Sequence, residues 1–208
     1  MDTKQQLLNH LLEEDWIKTP RIIEAFRSID RKDFVQDETK LLAYFDEALS
    51  IGSNQTISQP SVVAFMLEEL NPQEGERILD VGAGSGWTSA LLAVIVGPRG
   101  KVIALDIVSK VVKFGTKNLS KYNFIKRGIV EYICQDADIG YKAKAPFDRI
   151  LVSAALPNRK LPDAWKEQLR IEGKIVVPYR DCIWVLTKKS EQEFEEKEYP
   201  GFVFVPFV

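Results

Sequence analysis

The stretch Asp80-Val81-Gly82-Ala83-Gly84-Ser85-Gly86 decides how the rest of the chain is read. It closes an apolar run, 77–81, and precedes a helical stretch, 87–96, so its glycines fall in a strand-to-helix turn. Such a turn needs positive φ, and a side chain there would keep a ligand away from the amides at the helix N-terminus. The spacing is G-x-G-x-G. The last glycine of a dinucleotide fingerprint would fall on Trp87, which is too large for the close packing that glycine provides. NAD is disfavoured on that ground. Asp80 adds an electrostatic argument, because a carboxylate beside the loop repels a pyrophosphate and suits a ligand carrying ammonium and sulfonium charges.

Outward from this loop the chain alternates between short apolar runs and helical stretches. A strand is expected at 101–105, a helix at 109–122, strands at 129–134 and 149–152, a helix at 161–169 and a strand at 174–177. Alternation at this spacing predicts an α/β fold, a Rossmann-like doubly wound, mostly parallel sheet with helices on both faces. Runs 183–187 and 202–207, separated by the charged segment 188–199, read as a C-terminal antiparallel strand pair. Residues 4–45 read as a helical cap, with Leu7, Leu8, Leu11 and Leu12 on one helix and Ile22, Ile23, Phe26 and Ile29 on a second. Residues 48–59 read as a polar loop, after which Pro60 opens a helix that Asn71-Pro72 ends. The expectation is one domain over 1–208, with 1–59 as cap and substrate loop and 60–208 as the ligand-binding core.

Composition removes several classes of function. With 208 residues, 45% apolar and 28% charged, the chain has the profile of a globular protein. A net charge of -2 without a concentrated Lys/Arg face excludes nucleic acid as a partner. No apolar run is long enough for a membrane partner, and the polar start Met1-Asp2-Thr3-Lys4-Gln5-Gln6 predicts a cytoplasmic protein. His10 is the only histidine, so a zinc site, a Ser-His-Asp triad and a histidine base lack material, and no metal is expected. Cys134 and Cys182 are isolated and read as buried free thiols.

Two further acids stand where the ligand would lie. Asp106 ends the strand after the glycine loop, where an acid accepts from ribose hydroxyls, and Asp136 ends the next, placed to accept from an adenine amino group. Either alone could be a helix N-cap. Three acids at successive strand ends around one glycine loop point to S-adenosylmethionine, and the loop resembles that of the methyltransferases using it.

A wider set of motifs runs along the chain: Gln55-Thr56-Ile57-Ser58-Gln59-Pro60 is the most specific, and Ile51-Gly52, Ala145-Pro146-Phe147-Asp148, Ala154-Ala155, Pro157, Phe204-Val205-Pro206 and the segment 21–35 accompany it. In this order they resemble one family, the protein-L-isoaspartate O-methyltransferases, and the resemblance covers nearly the whole chain. The resemblance implies methyl transfer to the α-carboxyl of isoaspartyl residues in aged proteins or peptides, whose ester then closes to a succinimide that reopens as aspartate. It implies Ser58 as the active-site serine. It also implies a cofactor set of Gln55, Thr56, Ile57, Ser58, Asp80, Gly82, Ala83, Gly84, Ser85, Gly86, Asp106, Ile107, Asp136 and Ala137, and a substrate set of Ser58, Ala154, Ala155, Pro157 and Val177. The expected protein is a monomer. A carboxylate acceptor is ionised at neutral pH, so the chemistry asks for no general base. On local sequence Ser58 could instead cap the helix at Pro60. The chain departs from the family pattern at Asn54, at Gln135 and Ala137 around the retained Asp136, and at Tyr179-Arg180-Asp181, where Arg180 reads as an exposed hairpin residue. A related carboxyl methyltransferase with a dedicated peptide substrate, for which no recruiting segment follows Val208, and a non-catalytic nucleoside-binding module stay open beside the first reading.

Overall fold

The computed structural model describes residues 1–207. Its centre is a seven-stranded sheet. The strands are β3 (Arg77–Val81), β4 (Lys101–Asp106), β5 (Val130–Cys134), β6 (Phe147–Val152), β7 (Leu169–Tyr179), β8 (Cys182–Lys188) and β9 (Phe194–Pro200), in the order β5-β4-β3-β6-β7-β8-β9. β5, β4, β3, β6 and β7 are parallel, and β7, β8 and β9 form an antiparallel meander at one edge. A smaller hairpin upstream joins β1 (Leu49–Gly52) to β2 (Gln55–Ile57).

Successive strand residues point to opposite faces, and the central strands sort their side chains accordingly. Ile78, Val102 and Ala104 enter one apolar cluster; Leu79, Val81, Ile103 and Leu105 enter the other. The faces are covered unequally. The first cluster takes side chains from α1 (Lys4–Glu13), α2 (Pro20–Ser28), α3 (Pro60–Leu70), α4 (Trp87–Val96) and α5 (Ser109–Ser120). The second is closed by the short α6 (Asp163–Gln168), by Ala137 and by Trp165, whose indole N–H donates to the Ala137 carbonyl.

Several expectations need correction. The last strand is the charged segment 194–200, not 202–207, because an edge strand needs only one paired neighbour and carries charge on its open side. Residues 48–59 hold the β1–β2 hairpin, turned by Ser53 and Asn54 at φ 55° and 58°. The helix expected at 161–169 is six residues long, and β7 starts at Leu169. The cap continues past α2 as two 3-10 turns, Arg31–Phe34 and Asp37–Leu42. Cys134 is exposed, and only Cys182 is buried. Among the described residues, no helix is long and apolar enough to cross a membrane.

Candidate active site

The strand order reverses direction in sequence between β3 and β6, and in such sheets the ligand lies beyond the strands' carboxyl ends at that point. The glycine loop sits there. Gly82, Gly84 and Gly86 have φ of 68°, 56° and 82°, values that a side chain rarely adopts. The loop is held from within the fold: the Gly82 and Ala83 amides donate to the Leu105 carbonyl (2.9 and 3.1 Å), and the Gly84 amide donates to Asp106 Oδ2 (3.1 Å). Tyr132 Oη donates to the Gly84 carbonyl at 2.7 Å, and Asn118 Nδ2 to the Ser85 carbonyl at 3.1 Å. Those three amides are therefore committed to the protein, and the loop offers a ligand chiefly its bare surface.

Two adjoining clefts run along it. The first is lined by Gln55, Thr56, Ile57 and Ser58 on one side, Gly82 to Ser85, Trp87, Thr88 and Asp106 on its floor, and Ser153, Ala154 and Val205 opposite. The second shares Gln55, Gly82, Asp106 and Ala154 and continues past Ile107, Val108, Gln135 and Ala137 to Pro206 and Phe207. A third groove leaves the first at Thr56, Ser58, Ser153 and Val205 and is walled by Ala48, Gln59, Val62, Val203 and Phe204.

The acids divide the work differently from their sequence positions. Asp106 reaches both clefts; its Oδ1 accepts the Val108 amide at 2.9 Å, and burial raises its carboxyl against the opposing pull of backbone N–H groups. Asp80 is fully buried beneath the loop and lines neither cleft. Its Oδ2 accepts from Thr88 Oγ1 (2.9 Å) and Ser89 Oγ (2.5 Å), and its Oδ1 has no partner. Burial, with a smaller push from Asp106, raises its carboxyl to about 6. Asp136 is exposed and caps the short turn Ala137–Ile139, accepting the Asp138 amide at 2.9 Å, while its neighbours Gln135 and Ala137 face the second cleft.

Ser58 does not cap α3. The N-cap is Gln59, without a side-chain bond, and the Ser61 amide donates instead to Asp46 Oδ1 at 2.8 Å. Ala155 meets the chain's last segment through backbone bonds: its amide donates to the Val205 carbonyl and its carbonyl accepts from Phe207, both at 2.8 Å. Pro157 lies in a separate groove beyond Phe207, and Val177 is fully buried in the second cluster, so neither stands on the Ser58 clefts. β7 runs on to Tyr179, and Val177 falls on the face that packs into the second cluster. Ser153, expected with Ala154 to Pro157 as a wall of the peptide groove, lines the first cleft and the groove, whereas Thr88, Trp87 and Val108 line the clefts without having been singled out as site residues; Thr88 and Ser89, two polar residues opening an otherwise apolar helix, were the available signal.

Comparison with known proteins bears on this geometry. Residues 2–208 match the family model described as Protein-L-isoaspartate(D-aspartate) O-methyltransferase (PCMT). The protein-L-isoaspartate O-methyltransferase of Methanopyrus kandleri is 35% identical over 99% of this chain and 91% of its own length. That of Aeropyrum pernix is 36% identical over 100% of this chain and 80% of its own. Among solved structures, the Plasmodium falciparum protein of that description, crystallised with S-adenosyl-L-homocysteine, superposes with a TM-score of 0.89 at 23% identity, covering 100% of this chain and 99% of that one. The fold is that of the methyltransferases, and the chain belongs to the protein-L-isoaspartate(D-aspartate) O-methyltransferase family.

Proposed function

We propose that this chain transfers the methyl group of S-adenosylmethionine to the α-carboxyl of isoaspartyl residues in damaged proteins or peptides, with Ser58 orienting the acceptor. One observation carries the reading: Ser58 stands where the glycine-loop cleft opens into the groove of Ala48, Val62, Val203 and Phe204, so one hydroxyl faces both a cofactor channel and a peptide-sized opening.

The residues fit the cofactor. Among the described residues, neither glycine-loop cleft is lined by Lys, Arg or His, which suits a cationic ligand and leaves a diphosphate without a counter-charge. The unpartnered Asp80 Oδ1 points the same way, because a buried acceptor without a donor gains from a nearby positive charge. Asp106 keeps lone pairs on both oxygens beyond the two amides it accepts, enough for ribose hydroxyls. Ile107, Val108, Gln135, Ala137 and Phe207 would then surround the base. When bound, S-adenosylmethionine supplies an electrophilic methyl on a sulfonium.

What the chain does is position and shield. An isoaspartyl α-carboxylate is ionised at neutral pH, and the lining of the first cleft and its groove provides no histidine, lysine or carboxylate base other than Asp106. The Ser58 hydroxyl donates to one carboxylate oxygen, leaving the other free for in-line attack. Val62, Phe204 and Val205 keep water from the reacting pair as charge is neutralised. The same reading takes residues 1–59 as cap and substrate loop on the core of 60–208, working as a monomer in the cytoplasm. Labelled methyl is expected to enter an isoaspartyl peptide and not its aspartyl counterpart. Equal labelling of both would overturn the assignment of substrate.

A further inference from the structure

Arg31 lies outside the clefts and is only 2% exposed, yet it touches the loop that carries Ser58. It opens the 3-10 turn Arg31–Phe34 and sends its guanidinium inward. Nη1 donates to the carbonyls of Ala43 (2.8 Å) and Phe45 (3.2 Å), and Nη2 to those of Glu47 (2.8 Å) and Ser58 (3.1 Å). The guanidinium carbon stands 5.3 Å from the centre of the Trp87 ring. Trp87 itself follows the glycine loop and lines the first cleft. One side chain therefore joins the cap, the Ser58 loop and the first residue of the cofactor helix.

A cation in this place is expensive. Among the described residues no carboxylate oxygen forms an ion pair with Arg31; burial lowers its pKa to about 10, and Asp46 and Glu47 act on it only at a distance. The group stays charged at neutral pH, and its four terminal N–H donors meet four backbone carbonyls while Nε is left without a partner, a fork that lysine's single nitrogen does not reproduce. Fastening a cap onto a core needs only apolar contact, and α1 and α2 already supply it through Leu7, Leu11, Ile22 and Phe26.

We propose that Arg31 is a positioning residue for methyl transfer: by holding the carbonyls of Glu47 and Ser58 while lying against Trp87, it sets the distance between the Ser58 hydroxyl and the glycine-loop cleft. This rests on the reading of Ser58 as the residue that orients the acceptor. Asp46 fastens the following residues, accepting the Ser61 amide and Gln59 Nε2 (3.2 Å), so Ser58 is the loop position whose placement falls to Arg31.

The test is a double-mutant cycle on the full chain with an isoaspartyl peptide as acceptor, using Arg31→Lys, Ser58→Ala and the pair. Each is measured for kcat, peptide KM and S-adenosylmethionine Kd by calorimetry, with a melting curve showing that it is folded at the assay temperature. Arg31→Lys is expected to lower kcat about tenfold while cofactor Kd moves less than about threefold, and the pair to be no slower than Ser58→Ala alone within about twofold. A displaced loop without its hydroxyl has nothing more to lose. Losses that multiply overturn the proposal, as does unchanged kcat in Arg31→Lys while Ser58→Ala is slow. Full turnover in Ser58→Ala removes the Ser58 reading and the proposal with it. If Arg31→Lys fails to fold, Arg31→Gln, which removes the buried charge and keeps one donor group, enters the same cycle with the same outcomes.

Discussion

Asp80 passes from water in the unfolded chain to full burial beneath the glycine loop. Burial raises its carboxyl from an ordinary 3.8 to about 6, so the fold binds this proton more tightly than the unfolded chain. Stability from this group is therefore greatest below the unfolded value and is lost as pH rises through about 6. A cationic cofactor above the loop has the opposite preference, favouring the ionised form and releasing the proton when it binds. S-adenosylmethionine affinity is expected to fall as pH is lowered from about 7.5 to about 5.5, by at most about tenfold per unit, and Asp80→Asn to flatten the profile. Calorimetry across that range checks it, and an unchanged affinity would show that the buried carboxyl is indifferent to the ligand. Ser58→Ala separates two roles at one position. Since Ser58 is not the cap of α3, kcat should drop on the order of tenfold or more with melting temperature and cofactor Kd nearly unchanged. A lower melting temperature with intact turnover would restore the capping role. Asp106→Ala should weaken cofactor binding first, because it removes a lining carboxylate and the acceptor of the Gly84 amide together.

At the scale of elements, the glycine loop depends on α5 and β5, which flank it. A Cβ on Gly115 would stand 2.4 Å from Tyr132 Cε1 and 2.8 Å from the Gly84 carbonyl oxygen, so the helix approaches the loop closely only because that residue is glycine. Gly115→Ala is expected to destabilise by about 1–3 kcal/mol through overpacking, and to weaken cofactor binding because the shift falls on Gly84. Tyr132→Phe keeps the packing and removes only the bond to that carbonyl, costing about 1 kcal/mol. Urea melts and calorimetry on both variants test this, and a Gly115→Ala protein of normal stability and affinity would refute it. Neither residue announces its role in the sequence, because each acts across the fold. β3, β4 and β6 were legible, since strands buried on both faces leave continuous apolar runs, and Asp80 to Gly86 followed from them. β9 was not, because an edge strand with Glu195, Glu196, Lys197 and Glu198 has the composition of a loop until its pairing with β8 is known. The β1–β2 hairpin was hidden for another reason: its strands have four and three residues, too short for alternation to register. Arg31 was present in the segment that resembled the family, but only the folded chain places four carbonyls around it.

The whole molecule closes the site with both ends of its described chain. The cap holds the Ser58 loop through Arg31, and residues 201–207 cross the opposite side. After β9 the Gly201 and Phe202 amides both donate to the Asp181 carbonyl, at 2.8 and 3.0 Å, and Phe202 stacks on Phe65 with ring centres 5.0 Å apart. The segment then pairs with Ala155 and ends with Phe207 edge-on to Trp165 at 5.7 Å. Along this path Val205 borders the first cleft and the groove, and Pro206 and Phe207 border the second cleft. These contacts add to the sheet without making it, because β9 is complete at Pro200 and its register with β8 involves nothing beyond that residue. Removing residues 201–208 should therefore leave the sheet folded, with some loss of melting temperature from the uncovered Phe65 and Trp165. Transfer should fall about a hundredfold or more, since one wall of every cleft is lost and the reacting groups are no longer held in line or kept from water. Phe207→Ala refines the test: it should raise cofactor Kd and leave peptide KM unchanged, because Phe207 touches only the second of the two glycine-loop clefts and not the groove. Circular dichroism and the labelled-methyl assay on the truncated chain decide between wall and ornament, and wild-type turnover without the segment would mean that the strand ends and the Ser58 loop suffice to hold both substrates.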